Sequence, residues 1–94
     1  MITPEIRIRS WVRASAAEER TGLLGYLSIY YGKMVLDGVC LRQTADGYYA
    51  LSFPAKTDRA GRRHSYMRPE DDETRLAIEH EILRQLKQRE DFVA

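Results

Sequence analysis

Residues 23–43 read LLGYLSIYYGKMVLDGVCLRQ. Aliphatic and aromatic side chains recur at every second position through residues 23–31, which is typical of a half-buried β-strand. Gly32-Lys33 then supplies a two-residue type II′ turn, which needs glycine at its first position because φ is positive there. A second strand is predicted over residues 34–43, where Gly38 indicates a bulge or a close backbone approach. The stretch therefore predicts a β-hairpin.

Flanking segments extend this hairpin into a meander. Upstream, residues 6–13 alternate isoleucine and valine with arginine, which predicts a strand with a basic outer face. Ser15 and Glu18 match a helix capping box, but no apolar run follows them, so a connecting loop is expected. Downstream, Asp46-Gly47 is a hairpin signal, and residues 48–53 form a fourth strand.

The same alternation predicts which apolar side chains share a face within each strand. The predicted sets are Ile6, Ile8 and Val12 in the first strand, Leu23, Gly25, Leu27, Ile29 and Tyr31 in the second, Val35, Val39 and Leu41 in the third, and Tyr49, Leu51 and Phe53 in the fourth.

A helix is predicted at the C-terminal end. A polar loop over residues 56–62 and a short extended piece over 64–67 come first. Residues 70–73 are EDDE, and acidic side chains are favoured at the positive end of a helix dipole. The predicted apolar stripe is Leu76, Ile82, Leu83 and Leu86, with Ile78 at its margin. The fold class is therefore α+β: an antiparallel four- to five-stranded β-meander followed by one C-terminal amphipathic helix.

Length and composition limit the class of protein. A chain of 94 residues predicts a single domain over residues 1–94. Hydrophobic residues at 44% and charged residues at 31% are typical of globular proteins. Fifteen Lys and Arg against 14 Asp and Glu give a net charge of +1, which excludes a uniformly basic nucleic-acid arm but not a locally basic face. Without a signal-peptide pattern or a membrane-spanning stretch, we expect a cytoplasmic protein that binds no membrane.

One helix can cover only part of a four-stranded sheet. Leu24, Tyr26 and Tyr30 would then remain on the opposite face or at an edge of the sheet. Because the edges of sheets invite pairing with a second chain, we expect a homodimer.

Cations are concentrated in residues 56–68, KTDRAGRRHSYMR, which hold five Lys or Arg and one acid and so carry a net charge of +4. Forked arginine donors match phosphate oxygens, and Gly61 would let the backbone approach a phosphate. Tyrosines that could stack on unpaired bases lie nearby in the sequence, at Tyr48, Tyr49 and Tyr66. Two interpretations stay open: a nucleic-acid contact, or a solvated loop whose arginines pair with the acids of residues 70–73.

Patterns for catalysis and metal binding are weak. His64-Ser65 and Asp58 contain the residue types of a nucleophile triad, but no nucleophile-elbow glycines surround the serine. His64 and His80 have no partner at metal-ligand spacing. Cys40, between Val39 and Leu41, is expected to be a small core residue. We therefore expect no catalysis, no cofactor, no metal and no small-molecule substrate.

Several strings resemble those of a known family. They are IRIR at residues 6–9, GYLSI at 25–29, MVLDGVCL at 34–41, DGYYALSFPAK at 46–56 and the glycine-containing charged loop at 58–61. Together with the order of elements, they resemble the SpoVG family of stage V sporulation and septation regulators, over about residues 6–86. Phe53-Pro54-Ala55 stands where the family has Met-Pro-Ser, and Arg68-Pro69 stands where it usually has His-Pro.

The resemblance implies a small dimeric α+β regulator that binds DNA, and in some members RNA, without catalysis. Family members bind through basic residues near the charged loop and in the C-terminal helix. With His64 from the same basic segment, the candidate nucleic-acid-binding residues are Lys56, Arg59, Arg62, Arg63, His64, Arg68 and Arg84. The alternative function is a protein-interaction module that uses an exposed strand edge and binds no nucleic acid.

Overall fold

The computed structural model describes residues 5–92 and has the α+β architecture expected from the sequence. Its elements are β1 Ile6–Arg13, α1 Ala16–Glu19, β2 Leu23–Tyr31, β3 Met34–Gln43, β4 Tyr49–Ser52, β5 Ala55–Thr57, β6 Arg63–Ser65 and α2 Asp72–Lys87. Strands β1 to β4 form one antiparallel sheet in sequence order, while β5 and β6 form a separate two-stranded sheet. No helix within residues 5–92 is long and apolar enough to cross a membrane.

The core lies between α2 and one face of the main sheet. Leu27, Ile29 and Val39 from the middle strands are buried there, together with Leu41, Leu51 and, from β1, Ile6. The helix contributes its own fully or almost fully buried side chains, Ile78, Ile82 and Leu86. Tyr26 and Tyr30 lie on the opposite face of the sheet, as predicted, and Tyr26 OH donates a hydrogen bond to Glu18 of α1. Leu24, expected on that face or at an edge, instead packs against the core.

A β-bulge in β1 changes which side chains face the core. Ile8 is paired with Ile29 and Ser10 with Ser28, so Arg9 is an extra residue in β1. Because side chains alternate along a strand, one extra residue exchanges the two faces beyond it. Trp11 therefore packs against the core and Val12 is 59% exposed, so the inward prediction for Val12 was wrong.

A second bulge has the same effect in β3. Two residues, Asp37 and Gly38, lie between the pairs Leu36–Ile29 and Val39–Leu27. The φ angle of Gly38 is 79°, so the bulge predicted at this glycine is confirmed. Leu36 packs against the core in front of the bulge, and Val35 is exposed. The predicted face of Val35 was therefore wrong, although those of Val39 and Leu41 were right.

The tight turn predicted between β2 and β3 is confirmed. Gly32 has a φ of 59° and Lys33 does not have a positive φ, which agrees with a type II′ turn and excludes type I′. The loop expected after β1 is instead the short helix α1. Its capping box forms, because Ser15 Oγ accepts a hydrogen bond from Glu18 N at 3.2 Å and Ser15 N donates to Glu18 Oε1 at 3.0 Å.

The apolar stripe of α2 is rotated from its predicted position. Ile78, placed at the margin, is buried, whereas Leu76 is 57% exposed. Glu79 is buried on the core side and Leu83 is half-buried. Cys40 was also misplaced: it is half-buried and alternates with the core residues of β3, so it lies on the sheet face away from α2.

Candidate nucleic-acid interface

The basic segment folds as a β-hairpin, here called the basic hairpin (residues 55–65). Ala55 pairs with Ser65 and Thr57 with Arg63, so the polar loop predicted from residue 56 was wrong at its start. Tyr66 N donates a hydrogen bond to Pro54 O at 3.0 Å, which continues the ladder towards the end of β4. The hairpin is therefore attached directly to the end of the main sheet.

Asp58 organises the turn of the basic hairpin. Its Oδ1 accepts hydrogen bonds from Ala60 N and Arg62 N, each at 2.9 Å, and its carbonyl accepts one from Gly61 N at 3.0 Å. Gly61 adopts a φ of 82°, which favours glycine. Because these three amides are already bonded, they are not free to bind a phosphate. We therefore expect phosphate contacts here to come mainly from the side chains.

The single acid of the basic hairpin is engaged by an imidazole. Asp58 Oδ2 lies 2.7 Å from His64 Nε2. This hydrogen bond is the main cause that lowers the pKa of Asp58, and the backbone N–H groups of Arg62 and Ala60 lower it further. His64 is therefore occupied by Asp58, and the carboxylate is not paired with an arginine.

The other candidate cations of residues 56–68 are all exposed. None of these five side chains forms an ion pair with any residue between 5 and 92. They are Lys56, Arg59, Arg62, Arg63 and Arg68. Arg63 Nη2 instead donates a hydrogen bond to Phe53 O at 3.1 Å, which holds its guanidinium against the end of β4. The charge of the hairpin is thus available to a ligand.

Two of the four acidic residues at positions 70–73 are engaged within α2 itself. Asp71 is the N-cap of the helix and accepts a hydrogen bond from Thr74 N at 2.8 Å. Asp72 lies 3.4 Å from Arg75. Arg63 and Arg68 border one shallow cavity together with Glu70, Asp71 and Asp72, but no ion pair joins the two groups within the described residues. This arrangement favours the first of the two interpretations of the basic segment.

Arg84 is not brought to the basic hairpin. It lies twelve residues after the first residue of α2, which is about 18 Å along the helix axis. Both of its guanidinium contacts go to Glu81, at 2.7 Å each. The pair raises the pKa of Arg84 and lowers the pKa of Glu81 to about 2. Its charge is largely compensated, so Arg84 is a weaker candidate than the hairpin cations.

Of the three tyrosines considered for base stacking, Tyr66 is the one that adjoins the basic hairpin. Tyr66 directly follows β6 and is exposed. Tyr48 lies in the turn before β4, and Tyr49 packs against the core. Base stacking beside the hairpin would therefore depend on Tyr66.

Side chains of α2 occupy backbone groups of both edge strands of the main sheet. At the β1 edge, Gln85 Oε1 accepts from Ile8 N at 2.9 Å and Gln85 Nε2 donates to Ile6 O at 2.6 Å. At the β4 edge, buried Glu79 accepts from Leu51 N at 3.0 Å. These bonds block strand addition at the two places, which weakens the basis of the strand-edge alternative and of edge-to-edge pairing.

The geometry of His64 and Ser65 does not resemble a nucleophile triad. Consecutive residues of a strand point to opposite faces, so the serine hydroxyl lies away from the imidazole that Asp58 holds. Within residues 5–92 no group of three or more His, Cys, Asp or Glu side chains is placed to hold a metal ion.

Comparison of the chain with protein-family models, curated proteins and solved structures finds no match. Sequence reasoning missed the structural roles of Asp58, Glu79 and Gln85, which hold the turn of the basic hairpin and the edges of the sheet. Asp58, three residues before Gly61, is a turn signal that could have indicated the side-chain cap. Glu79 and Gln85 carry no such local signal, because their partners are 28 and 77 residues away in the sequence.

Proposed function

We propose that the protein is a non-catalytic, cytoplasmic regulator that binds DNA or RNA through the basic hairpin, as a divergent member of the SpoVG family acting as a homodimer. The proposal rests on which cations form ion pairs. The Lys and Arg side chains of the basic segment have no carboxylate partner among residues 5–92, whereas several arginines elsewhere are paired. The paired arginines are Arg7, Arg13, Arg75, Arg84 and Arg89.

The hairpin is suited to the phosphate backbone. Lys56, Arg59 and Arg62 project from a short ladder and a turn that Asp58 holds, so their attachment points are ordered before a ligand binds. Contacts of this type position a nucleic acid and carry little sequence information. Affinity should arise mainly from release of counterions, because each neutralised phosphate frees condensed cations.

Salt dependence gives the quantitative test. Fluorescence anisotropy would measure binding to single-stranded and duplex DNA and RNA between about 50 and 200 mM salt. The four unpaired cations of each hairpin, Lys56, Arg59, Arg62 and Arg63, predict a slope of log K against log salt of about −3 to −4 for each chain engaged. The double variant Arg62→Glu/Arg63→Glu should lose binding to all sequences by a similar factor.

A matched control changes the charge equally at another site. Arg20 follows α1 and Arg42 lies near the end of β3, and both are exposed and form no ion pair within residues 5–92. Arg20→Glu/Arg42→Glu should therefore keep most of the affinity if the basic hairpin is the contact. Equal losses in the two double variants would mean that net charge alone decides binding. Tight binding by Arg62→Glu/Arg63→Glu at low salt would refute the assignment of the hairpin.

The alternative function, an interaction module that adds a partner strand, has less support. Gln85 occupies the β1 edge at Ile6 and Ile8, and Glu79 occupies the β4 edge at Leu51. Salt-tolerant association with a protein partner, without retention of any oligonucleotide at low salt, would favour it over nucleic-acid binding.

A further inference from the structure

Helix α2 has a partly exposed side that borders the core. Leu76, His80 and Leu83 follow one another at spacings of four and three residues, so they share one side of the helix. Leu76 is 57% exposed, Leu83 is half-buried and His80 is exposed. Leu83 packs against the edge of the core, whereas Leu76 leaves most of its side chain exposed, where a second chain could cover it.

A groove lies beside this face. It has a volume of about 380 Å³ and is bounded by Leu76, His80 and Leu83 on the helix and by Tyr48 and Tyr49 at the β3–β4 turn. Tyr48 is 72% exposed. Exposed aliphatic and aromatic side chains that line one groove indicate a surface for docking another chain.

The ends of the same helix face carry opposite charges. Asp72 and Glu73 are in the first turn, and Lys87 is in the last. Neither Glu73 nor Lys87 forms an ion pair with any described residue. A chain that presents acid, leucine, leucine and lysine in this order is complementary to a copy of itself running in the opposite direction.

The positions are also symmetric. The midpoint of Asp72–Lys87 falls between Glu79 and His80, and it is also the midpoint between Leu76 and Leu83. A twofold axis at this point would place each Leu76 against the Leu83 of a second copy, with Asp72 and Glu73 of one copy beside Lys87 of the other. Isologous contacts of this kind are the commonest way in which soluble proteins dimerise.

We propose that the groove between α2 and Tyr48 receives α2 of a second copy, antiparallel to the first. This specifies where the homodimer of the proposed function forms, and it uses neither the strand edges nor the open face of the sheet. One helix and one turn make a small interface, so the dimer should be weak, with a dissociation constant in the micromolar range.

The proposed dimer sets the distance between its two basic hairpins. Arg63 and Asp72 border one cavity, so each basic hairpin lies near the start of its own α2. Antiparallel helices of 16 residues would separate the two helix starts by about 24 Å. A nucleic acid long enough to span this distance would contact both hairpins and gain affinity from bivalent binding, whereas a short one would contact a single hairpin.

Sedimentation velocity over about 1 μM to 1 mM protein would test the interface. We expect the parent to pass from monomer to dimer and Leu76→Glu to stay monomeric. Val12→Glu is the matched control, because Val12 is equally exposed but lies on the open face of the sheet. Lys87→Glu should weaken the dimer at least several-fold, and Glu73→Lys/Lys87→Glu should restore it. Circular dichroism would confirm that the variants fold.

Three results would overturn the proposal: a parent that stays monomeric at the highest concentration, a dimer that survives Leu76→Glu, or a dimer that Val12→Glu breaks instead. The test is independent of nucleic-acid binding. If only the proposed function is wrong, the parent still dimerises but binds no oligonucleotide. If only the interface is wrong, Leu76→Glu binds a long oligonucleotide as tightly as the parent does.

Discussion

Gln85 occupies the position beside Ile8 that a neighbouring strand would take. Its side-chain oxygen accepts the Ile8 N–H at 2.9 Å, and its nitrogen donates to the Ile6 carbonyl at 2.6 Å. Outward-facing groups of an edge strand otherwise require water or another chain. Since Glu79 binds Leu51 at the other edge of the sheet, the two side chains fix the direction in which α2 crosses it.

Gln85→Leu keeps the size of the side chain and removes both edge hydrogen bonds, together with the hydrogen bond from Gln85 Nε2 to Glu81 Oε2 at 2.7 Å. The Ile8 N–H and Ile6 carbonyl then lose their partners in a half-buried place, so we expect the free energy of unfolding to fall by about 1–3 kcal/mol. Urea denaturation would measure this loss. Gln88→Leu is the matched control at an exposed position and should change stability by less than about 0.5 kcal/mol. Equal midpoints for the two variants would contradict a stabilising role of the Gln85 amide.

Glu79 should show a graded effect. Its Oε2 accepts from Leu51 N at 3.0 Å, and its Oε1 binds Arg75 Nη1 at 3.1 Å. Glu79→Gln keeps an acceptor for Leu51 and loses only the ion pair, whereas Glu79→Ala leaves a buried N–H without a partner. We expect a loss of about 2 kcal/mol for alanine and a smaller one for glutamine, measured by thermal or urea unfolding. A glutamine variant as unstable as the alanine variant would show that the charge matters more than the hydrogen bond.

The elements of the fold could be predicted because their signals are local. Alternation gave the strands, and the glycines at the turns gave two of the connections. The two bulges were harder, since an extra residue is defined only relative to the partner strand. Val12 and Val35 were misplaced for that reason. The bulge in β3 could be predicted from Gly38. The bulge in β1 could not, because nothing in the sequence distinguishes Arg9 from its neighbours in that strand.

The candidate site was predicted in its location and only partly in its geometry. The concentration of cations in residues 56–68 is visible in the sequence, but whether each is paired depends on tertiary contacts. Arg84 is an exception, because Glu81 precedes it by three residues, a spacing at which helical side chains meet. The pairing of β5 with β6 could not be predicted, since strands of three residues show too little alternation.

Gly25 provides room for an aromatic ring. A Cβ atom on Gly25 would collide with Trp11 Cη2, and the indole packs edge-on against Phe92 with ring centroids 5.4 Å apart. Gly25→Ala should therefore cost about 1–3 kcal/mol of stability through overpacking. In a Trp11→Leu background the same change should cost less, and a double-mutant cycle would measure this coupling. Additive effects of the two substitutions would contradict the close approach.

Glu81 should contribute to stability in a defined pH range. The hydrogen bond from Arg84, followed by that from Gln85, lowers the pKa of Glu81 from its usual 4.5 to about 2. A carboxyl with a lowered pKa in the folded state stabilises the protein fully above pH 4.5, and this contribution is lost as the pH falls towards 2. An NMR titration of the side-chain carboxyl would report the value. Arg84→Met should raise it towards 4.5, and an unchanged value would contradict the assigned cause.

Asp58 should couple the order of the basic hairpin to pH. Its carboxylate accepts the amides of Ala60 and Arg62 and contacts His64, and the pKa of Asp58 is lowered by these bonds. The charged carboxylate therefore supports the turn above its ordinary pKa of 3.8, and this support is lost as the pH falls through the lowered value. Amide resonances of Ala60 and Arg62 should shift together in that acidic range, and Asp58→Ala should abolish the transition. If the two amides do not respond while Asp58 titrates, the carboxylate does not hold the turn.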